Sequence, residues 1–461
     1  VKIRKNADFS IKLPRFRCSA IALAVCYACF PASLNAEYEI SVFGDLRYSD
    51  NGNRAADGST VDAISEVISE IGINLSAEKP NGMYQYELEY EFAHTAFMEE
   101  TQDDRSVATG ESRLSFGTPA TMLGLDLKHS RQLTTINPLL QSDLNNSEER
   151  DIASVIPQLR WRMTPTDNVI ISGNYTQTTY NSPNRDTGLG QIQGRSDSTQ
   201  IGQRFAWTRR LSSISNFGLD AGRSETEIDG LEEKFEYEEA MLSYASVLRQ
   251  LNYKIAVGYN QSTFTGEPLK APRYDIDFEY ERGRHIFGLN FVGRITETSQ
   301  GNGNQERLSE QGGIDSPLGR DNTLGLEPDS YESQVSELSY SVQAMPNFLR
   351  LDFLLGAEQS RYQNNIEEDA DSSYFNLTAN FLLNSRSDVI YEYAWWSLER
   401  LLGEANKTKN NSHRITYIYN FSERLSANAY FTRDTWDTDS ANGGAVFTEH
   451  VLGVSGQYRL F

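Results

Sequence analysis

Carboxylates recur at every second residue in two segments: Glu87, Glu89 and Glu91 in one, Asp275, Asp277, Glu279 and Glu281 in the other. Arginines keep the same interval elsewhere. Arg160 and Arg162 flank Trp161, and Arg204 and Arg294 project singly from similar stretches. A spacing of two puts side chains on one face of a β-strand. Rows of fixed charge on one face make and break no bonds; their field attracts, orients or rejects charged solutes. The same rows also suit a water-filled or loop-filled interior whose mixed charges satisfy one another, and spacing alone leaves both readings open.

Residue types for covalent or metal chemistry are present without the spacing that such chemistry needs. The five histidines, His94, His129, His285, His413 and His450, include no HExxH and no i, i+4 pair, and no GxSxG elbow occurs. The expectation is a protein that is not an enzyme, with no catalytic residues, no cofactor and no metal site; an outer-membrane hydrolase stays as an alternative class.

The charged rows belong to a pattern that runs down the whole chain. From Tyr84 to Phe92, Tyr84, Tyr86, Leu88, Tyr90 and Phe92 alternate with Gln85, Glu87, Glu89 and Glu91. Such a strand has one aromatic face and one carboxylate face. Clear stripes of the same kind are Tyr38-Ile40-Val42, Leu251 to Tyr259, Tyr274 to Tyr280, Phe287 to Phe291, Leu349 to Leu355, Phe375 to Leu383, Val389 to Trp395 and Ile415 to Phe421. Weaker ones pass through Ile71, Leu114, Leu125, Leu159, Ile171, Phe205, Leu219, Leu242, Val335–Met345, Leu425–Phe431 and Val451–Tyr458. Tight links such as Lys79-Pro80-Asn81-Gly82, Arg282–Arg284 and Pro346-Asn347 alternate with long polar segments such as Asn51–Ala63, Asn181–Arg195 and Gln300–Ser330. About twenty alternating segments joined in this way (18–22) predict an all-β, transmembrane antiparallel up-and-down β-barrel without a plug domain. A mean hydropathy of −0.53 does not oppose this, because only every second strand residue faces lipid.

The first residues predict an address. Lys2, Arg4, Lys5, Lys12, Arg15 and Arg17 precede an apolar run from Ala20 to Phe30, and Leu34-Asn35-Ala36 offers a cleavage site. The run is too short to span a bilayer as a helix, so residues 1–36 read as a removed secretory signal and 37–461 as the barrel. An uncleaved anchor is the alternative, and a lipoprotein reading at Cys26 fails because Val25 stands where a small residue is wanted. Removal takes six basic residues and one acidic, changing the net charge from −22 to −27. So acidic a chain repels nucleic acid. All three cysteines (Cys18, Cys26, Cys29) go with the signal, excluding disulfides and thiol chemistry from the barrel.

The runs Glu99–Asp104, Asp229–Glu233 and Glu367–Asp371 make the long connections acidic. They read as solvated loops, or as carboxylates sharing divalent cations with lipopolysaccharide phosphates. Gln300–Ser330, with Asp315-Ser316-Pro317-Leu318-Gly319, either folds inward as a constriction or caps the outside. The chain ends Tyr458-Arg459-Leu460-Phe461, an aromatic terminus resembling an assembly signal of outer-membrane barrels, although Phe461 is on the parity opposite to Tyr458 and Leu460.

Three diffuse features carry a family resemblance: a signal followed almost directly by strand, the Leu-rich Leu123–Leu140 stretch, and Pro157–Arg162 turning into Tyr175–Tyr180. The plan resembles Gram-negative outer-membrane β-barrels and, among them, is similar to the large barrels of exopolysaccharide and PEP-CTERM sorting loci. That resemblance implies a conduit or scaffold in export of an extracellular polysaccharide. The start Ser41–Tyr48 is porin-like, which makes a general or substrate-selective diffusion porin the alternative; a surface-loop binding protein or adhesin is a third. The expected location is the bacterial outer membrane with both termini periplasmic. Expected partners are outer-membrane lipid and lipopolysaccharide, the barrel assembly machinery, and polysaccharide or small polar solutes.

The two faces are testable on adjacent residues. Leu88→Arg on the apolar face should destabilise the folded barrel in lipid vesicles by about 2–4 kcal/mol if it lies near mid-bilayer, whereas Glu87→Arg should be tolerated. Equal tolerance in a denaturant-unfolding series would mean that the faces are assigned wrongly.

Overall fold

Hydrocarbon offers no water to an unpaired N–H or C=O, so a sheet in a membrane must pair both edges of each strand. The structure, a computed structural model, describes residues 37–57, 62–118, 121–231, 233–264, 266–297, 329–401, 407–439 and 445–460, apart from 136–146 and 182–196. It meets the demand with twenty antiparallel strands. The first ten are β1 (Glu37–Ser49), β2 (Glu66–Lys79), β3 (Tyr84–Phe97), β4 (Arg105–Phe116), β5 (Leu123–Thr135), β6 (Ser147–Arg162), β7 (Asp167–Asn181), β8 (Ser198–Arg210), β9 (Ser215–Ile228) and β10 (Lys234–Val247). The rest are β11 (Leu251–Thr263), β12 (Leu269–Arg282), β13 (His285–Glu297), β14 (Ser330–Met345), β15 (Leu349–Tyr362), β16 (Ala370–Asn384), β17 (Ser387–Arg400), β18 (Lys407–Asn420), β19 (Leu425–Asp439) and β20 (Ala445–Arg459).

Each strand pairs with its neighbours in sequence. β1 pairs β20 from Ser41↔Arg459 to Ser49↔Val451 and closes the wall. The fold is therefore the all-β up-and-down barrel that the alternation predicts. Connections at one end are two to six residues long, and those at the other run from five to thirty-two. Several short ones turn on residues that tolerate positive φ: Gly82 (116°), Gly283 (65°) and Asn347 (56°). Residues 1–36, the expected secretory signal, lie outside the described residues.

One face of the wall exposes large apolar side chains all the way round, among them Ile71, Leu123, Ile201 and Leu452, each more than 60% exposed. In a soluble protein such a surface would aggregate; here it is a lipid-facing belt. Two features depart from a plain ladder. Pro157 and Pro272 lack an N–H, and each stands where ladder pairing is interrupted. β6–β7 pairing skips Ile156 and Pro157, and β12–β13 pairing stops at Tyr274↔Gly293, leaving Pro272 and the rest of that strand end unpaired on this side. In addition, aromatic rings lie over directly opposed glycines at Phe43/Gly72, Tyr274/Gly293, Tyr374/Gly356 and Tyr430/Gly453. Each ring covers backbone that a side chain would otherwise protect.

The ring of Tyr374 cannot yield at Gly356, because it is buried among Trp396, Leu398, Trp436 and Phe447 and its hydroxyl donates to Glu337 Oε1 at 2.8 Å. A Cβ at Gly356 would fall inside that ring, whereas one at Gly44 meets only a carbonyl oxygen at 3.9 Å. Gly356→Ala should therefore cost about 1–3 kcal/mol by overpacking, with Gly44→Ala close to neutral. Unfolding midpoints of the two variants decide this, and equal midpoints would contradict it.

Candidate functional site

Thr226 on β9 and Glu297 on β13 stand four strands apart, yet Thr226 Oγ1 donates to Glu297 Oε1 at 2.8 Å. Side chains so far apart along a closed wall meet only across its concave side. Thr226 therefore marks the inward face, and the pairing register carries that face round the barrel, since directly opposed residues of an antiparallel pair share a face. From Thr226 the register runs through β8 and β7 to Arg204, Arg160 and Arg162, and on through Lys128 and Arg113 to Glu87, Glu89 and Glu91. In the other direction it reaches Asp275, Asp277 and Glu279 and then Arg294. All ten candidate residues fall on the face of Thr226.

These ten form separate groups. Glu87 stands opposite Glu78 and Arg113, Glu89 opposite Ser76 and Glu111, and Glu91 opposite Asn74 and Thr109. Like charges directly opposite destabilise a sheet, and here they stand opposite at Glu78/Glu87 and Glu89/Glu111 with Arg113 beside them. Asp275 accepts from Lys254 Nζ at 2.6 Å, while Asp277 and Glu279 accept from the amides of Asn290 (3.3 Å) and Asn252 (3.1 Å). β3 and β12 are nine strands apart one way and eleven the other, so the two acidic arrays face each other nearly across the diameter. Arg204 donates to Asp220 at 2.8 Å, and Arg160 to the Thr118 carbonyl (3.0 Å) and to Gln158 (2.8 Å), on the arc between them. Arg162 stands opposite Asn168 at the short-turn end. Arg294 stands opposite Ser333, within reach of the Glu358 charge.

Sequence reasoning missed several members of this face. Glu111, Arg113 and Lys128 complete the β3 array, but β4 and β5 alternate too weakly to announce themselves. Arg273 bridges Glu239 (2.7 Å) and the Tyr237 hydroxyl (2.8 Å), and Arg47 lies between Asp45 (3.5 Å) and Glu70 (3.6 Å). Trp396 turns inward beside the outward Trp395. With Tyr374, Leu398, Trp436 and Phe447 it forms an aromatic cluster on the inner face near the long-loop end. The acidic runs are largely exposed, as solvated loops are, with Glu99, Glu100, Asp103, Asp104, Asp229, Glu233 and Glu367 all open to solvent, although two contacts tie them down. Glu66 accepts from the Glu99 and Thr101 amides (2.8 and 3.2 Å). Burial lifts the Glu368 carboxyl above its ordinary range, with the Arg400 guanidinium at 2.7 Å opposing the rise and Glu367 adding to it.

The largest departure from a plain barrel is at β13 and β14. Past Gly293, β13 leaves β12 but keeps its ladder with β14 as far as Glu297↔Ser330. Ile295 and Glu297 have the outward parity of Phe287, Leu289 and Phe291, yet they pack on the inner face of β9–β11. Asn260 accepts from the Ile295 amide at 2.7 Å and donates to the Ala271 carbonyl at 2.9 Å. The Ser262 and Ser330 hydroxyls are 2.8 Å apart. Thr226, Asn260, Ser262, Ala271 and Ser330 are all buried. Asp329 fixes the other root, accepting from the Asn364 and Asn365 amides at 2.8 and 2.9 Å. The end of this hairpin is thus folded into the barrel. Residues 298–328, the bulk of the expected Gln300–Ser330 loop, lie outside the described residues.

No protein-family model matches the chain, and no curated protein matches it in sequence. Solved structures share the fold. The siderophore receptor PirA from Acinetobacter baumannii is 10% identical with a TM-score of 0.51, over 93% of this chain and 81% of that one. OccK5 (OpdH) from Pseudomonas aeruginosa is 9% identical with a TM-score of 0.40, over 92% and 99%. The FrpB iron transporter from Neisseria meningitidis is 7% identical with a TM-score of 0.45, over 92% and 83%. The chain has the fold of Gram-negative outer-membrane β-barrels, and at these identities the likeness is one of fold alone. The expectation of polysaccharide export, with the resemblance behind it, is corrected: the similar structures are OccK5 (OpdH), the FrpB iron transporter and the siderophore receptor PirA. Its physical basis was thin, because a signal before the first strand, a Leu-rich strand and paired tyrosines suit any large barrel and carry no polysaccharide chemistry.

Proposed function

We propose that this chain is an outer-membrane diffusion porin that favours cationic and small polar solutes. The observation that carries the reading is the pair of carboxylate arrays, on β3–β4 and on β12, facing each other from opposite sides of one closed wall. Sixteen to eighteen strands already leave an aqueous channel in porins, so twenty leave room for water unless the lumen is filled. In that water Glu87, Glu89, Glu91, Asp275, Asp277 and Glu279 line the solute path, with Arg160, Arg162, Arg204 and Arg294 between them. Facing arrays in which carboxylates outnumber cations lower the energy of cations beside them and raise that of anions.

The same reading sets the orientation. Short turns lie in the periplasm with both termini, long connections face the cell surface, and residues 1–36 are removed on export. The outward belt contacts lipid, and the surface loops contact lipopolysaccharide.

Full-length chain refolded into planar bilayers should give unitary conductance steps, and a KCl gradient should give a reversal potential of cation-preferring sign. Glu87→Gln/Glu89→Gln/Glu91→Gln should lower the cation-to-anion permeability ratio by roughly two-fold, as expected when ring charges of a selectivity region are removed. Anion preference in the unaltered chain, or a ratio indifferent to the triple change, would contradict the proposal.

A further inference from the structure

The two ends of the wall carry connections of opposite charge. Acidic runs such as Glu99–Asp104 and Glu367–Asp369 mark the long-loop end. The nine short connections hold four arginines, Arg249, Arg284, Arg386 and Arg424, and one acidic residue, Glu423. In a chain of net charge −22 this runs against the average. The four lie on an arc of the rim from the β10–β11 turn to the β18–β19 turn. All four are exposed, and no ion pair or side-chain hydrogen bond engages their guanidinium groups among the described residues. Arg223 and Arg361, on the outer face nearer the long loops, are instead neutralised, at 3.0 Å from Glu236 and 2.6 Å from Asp371. Each of the four also has an exposed apolar side chain within three residues: Leu248 (42%), Phe287 (42%), Leu383 (48%) and Phe421 (54%). The outward rings of Tyr253, Tyr280, Phe287 and Tyr419 stand beside the same turns. Aromatic girdles mark the bilayer interfaces of barrels, so the arc lies where hydrocarbon ends and headgroups begin.

An arginine at that level can lay its carbon stem along apolar surface while its charge reaches the headgroup layer. Its planar fork matches two oxygens of one phosphate. With no carboxylate in the wall to neutralise it, the charge is open to a bound anion. We infer that the arc of Arg249, Arg284, Arg386 and Arg424 is a binding surface for anionic phospholipid in the leaflet at the short-turn end. Each guanidinium takes a headgroup phosphate, and the neighbouring Leu or Phe lies against the acyl chain. An anionic headgroup is preferred over phosphatidylcholine because no choline cation offsets its phosphate. A soluble polyanion would account for the arginines alone; the exposed apolar partner beside each one, continuous with the belt, points to a lipid. This surface is separate from the lumen and holds whether or not a solute crosses the barrel.

The test uses the full chain, refolded into vesicles of equal parts phosphatidylcholine and phosphatidylglycerol and then extracted in mild detergent. Lipid retained on the folded protein is counted by native mass spectrometry. The unaltered chain should retain phosphatidylglycerol over phosphatidylcholine by roughly five-fold, the preference expected of one arginine at an anionic surface. Arg249→Gln/Arg284→Gln/Arg386→Gln/Arg424→Gln should bring the ratio close to one, and the control Arg223→Gln should leave it unchanged. Washing with glycerol 3-phosphate, against chloride of equal ionic strength, should not displace the lipid. Displacement would assign the arc to soluble phosphate esters and overturn the lipid reading. Equal retention of the two lipids by the unaltered chain would overturn it whatever the variants do. So would a ratio that the fourfold change leaves intact, or one that Arg223→Gln lowers as much.

Discussion

Everything in this molecule depends on backbone hydrogen bonding that closes on itself. A strand in hydrocarbon cannot leave an edge open, and the pairing of β1 with β20 removes the last one. Closure has a second effect. With a side-chain period of two, it divides every strand into a face that sees lipid and a face that sees the interior, and a slip of one residue would exchange them. Apolar side chains on the outward face and carboxylates on the inward face therefore hold the register as firmly as the ladders do.

The exception defines the site. β13 gives up pairing with β12 over its last residues, and it and the start of β14 are held instead by Thr226, Asn260 and Ser262 on the inner wall. Residues of outward parity then face the inside of the barrel, which no rule of alternation anticipates. The inner surface combines two elements with different physical roles: fixed charge along the wall and a folded segment at one end. Tyr374 couples the parts, with its ring over Gly356 and its hydroxyl on Glu337 of β14.

Much of this was legible in the sequence. Tyr84–Phe92 announces strand, faces and pairing parity together, because both faces are chemically pure. Alternating tight and long connections, turned by residues such as Gly82 and Asn347, give the up-and-down order and an even strand count. β4 and β5 were harder to read. Ser112 and His129 interrupt their apolar stripe, and their polarity is met only in three dimensions, where the Tyr90 hydroxyl hydrogen-bonds His129 and lies 3.3 Å from Ser112. The hairpin was not legible. Pro272 signals an unpaired edge, but the partners that replace the ladder are dozens of residues away. The polysaccharide reading failed for a related reason, since features common to all large barrels say nothing about what passes through one.

The central claim is a single wall with a wet charged face and a dry apolar face. Cysteine substitution along β3 and β12 tests it most directly, each variant being reconstituted in lipid and labelled with a membrane-impermeant thiol reagent. Labelling should alternate with a period of two, high at Glu87, Glu89, Glu91, Asp275 and Asp277 and low at Leu88, Tyr90, Ile276 and Phe278. Uniform labelling, or high labelling on the apolar residues, would contradict it.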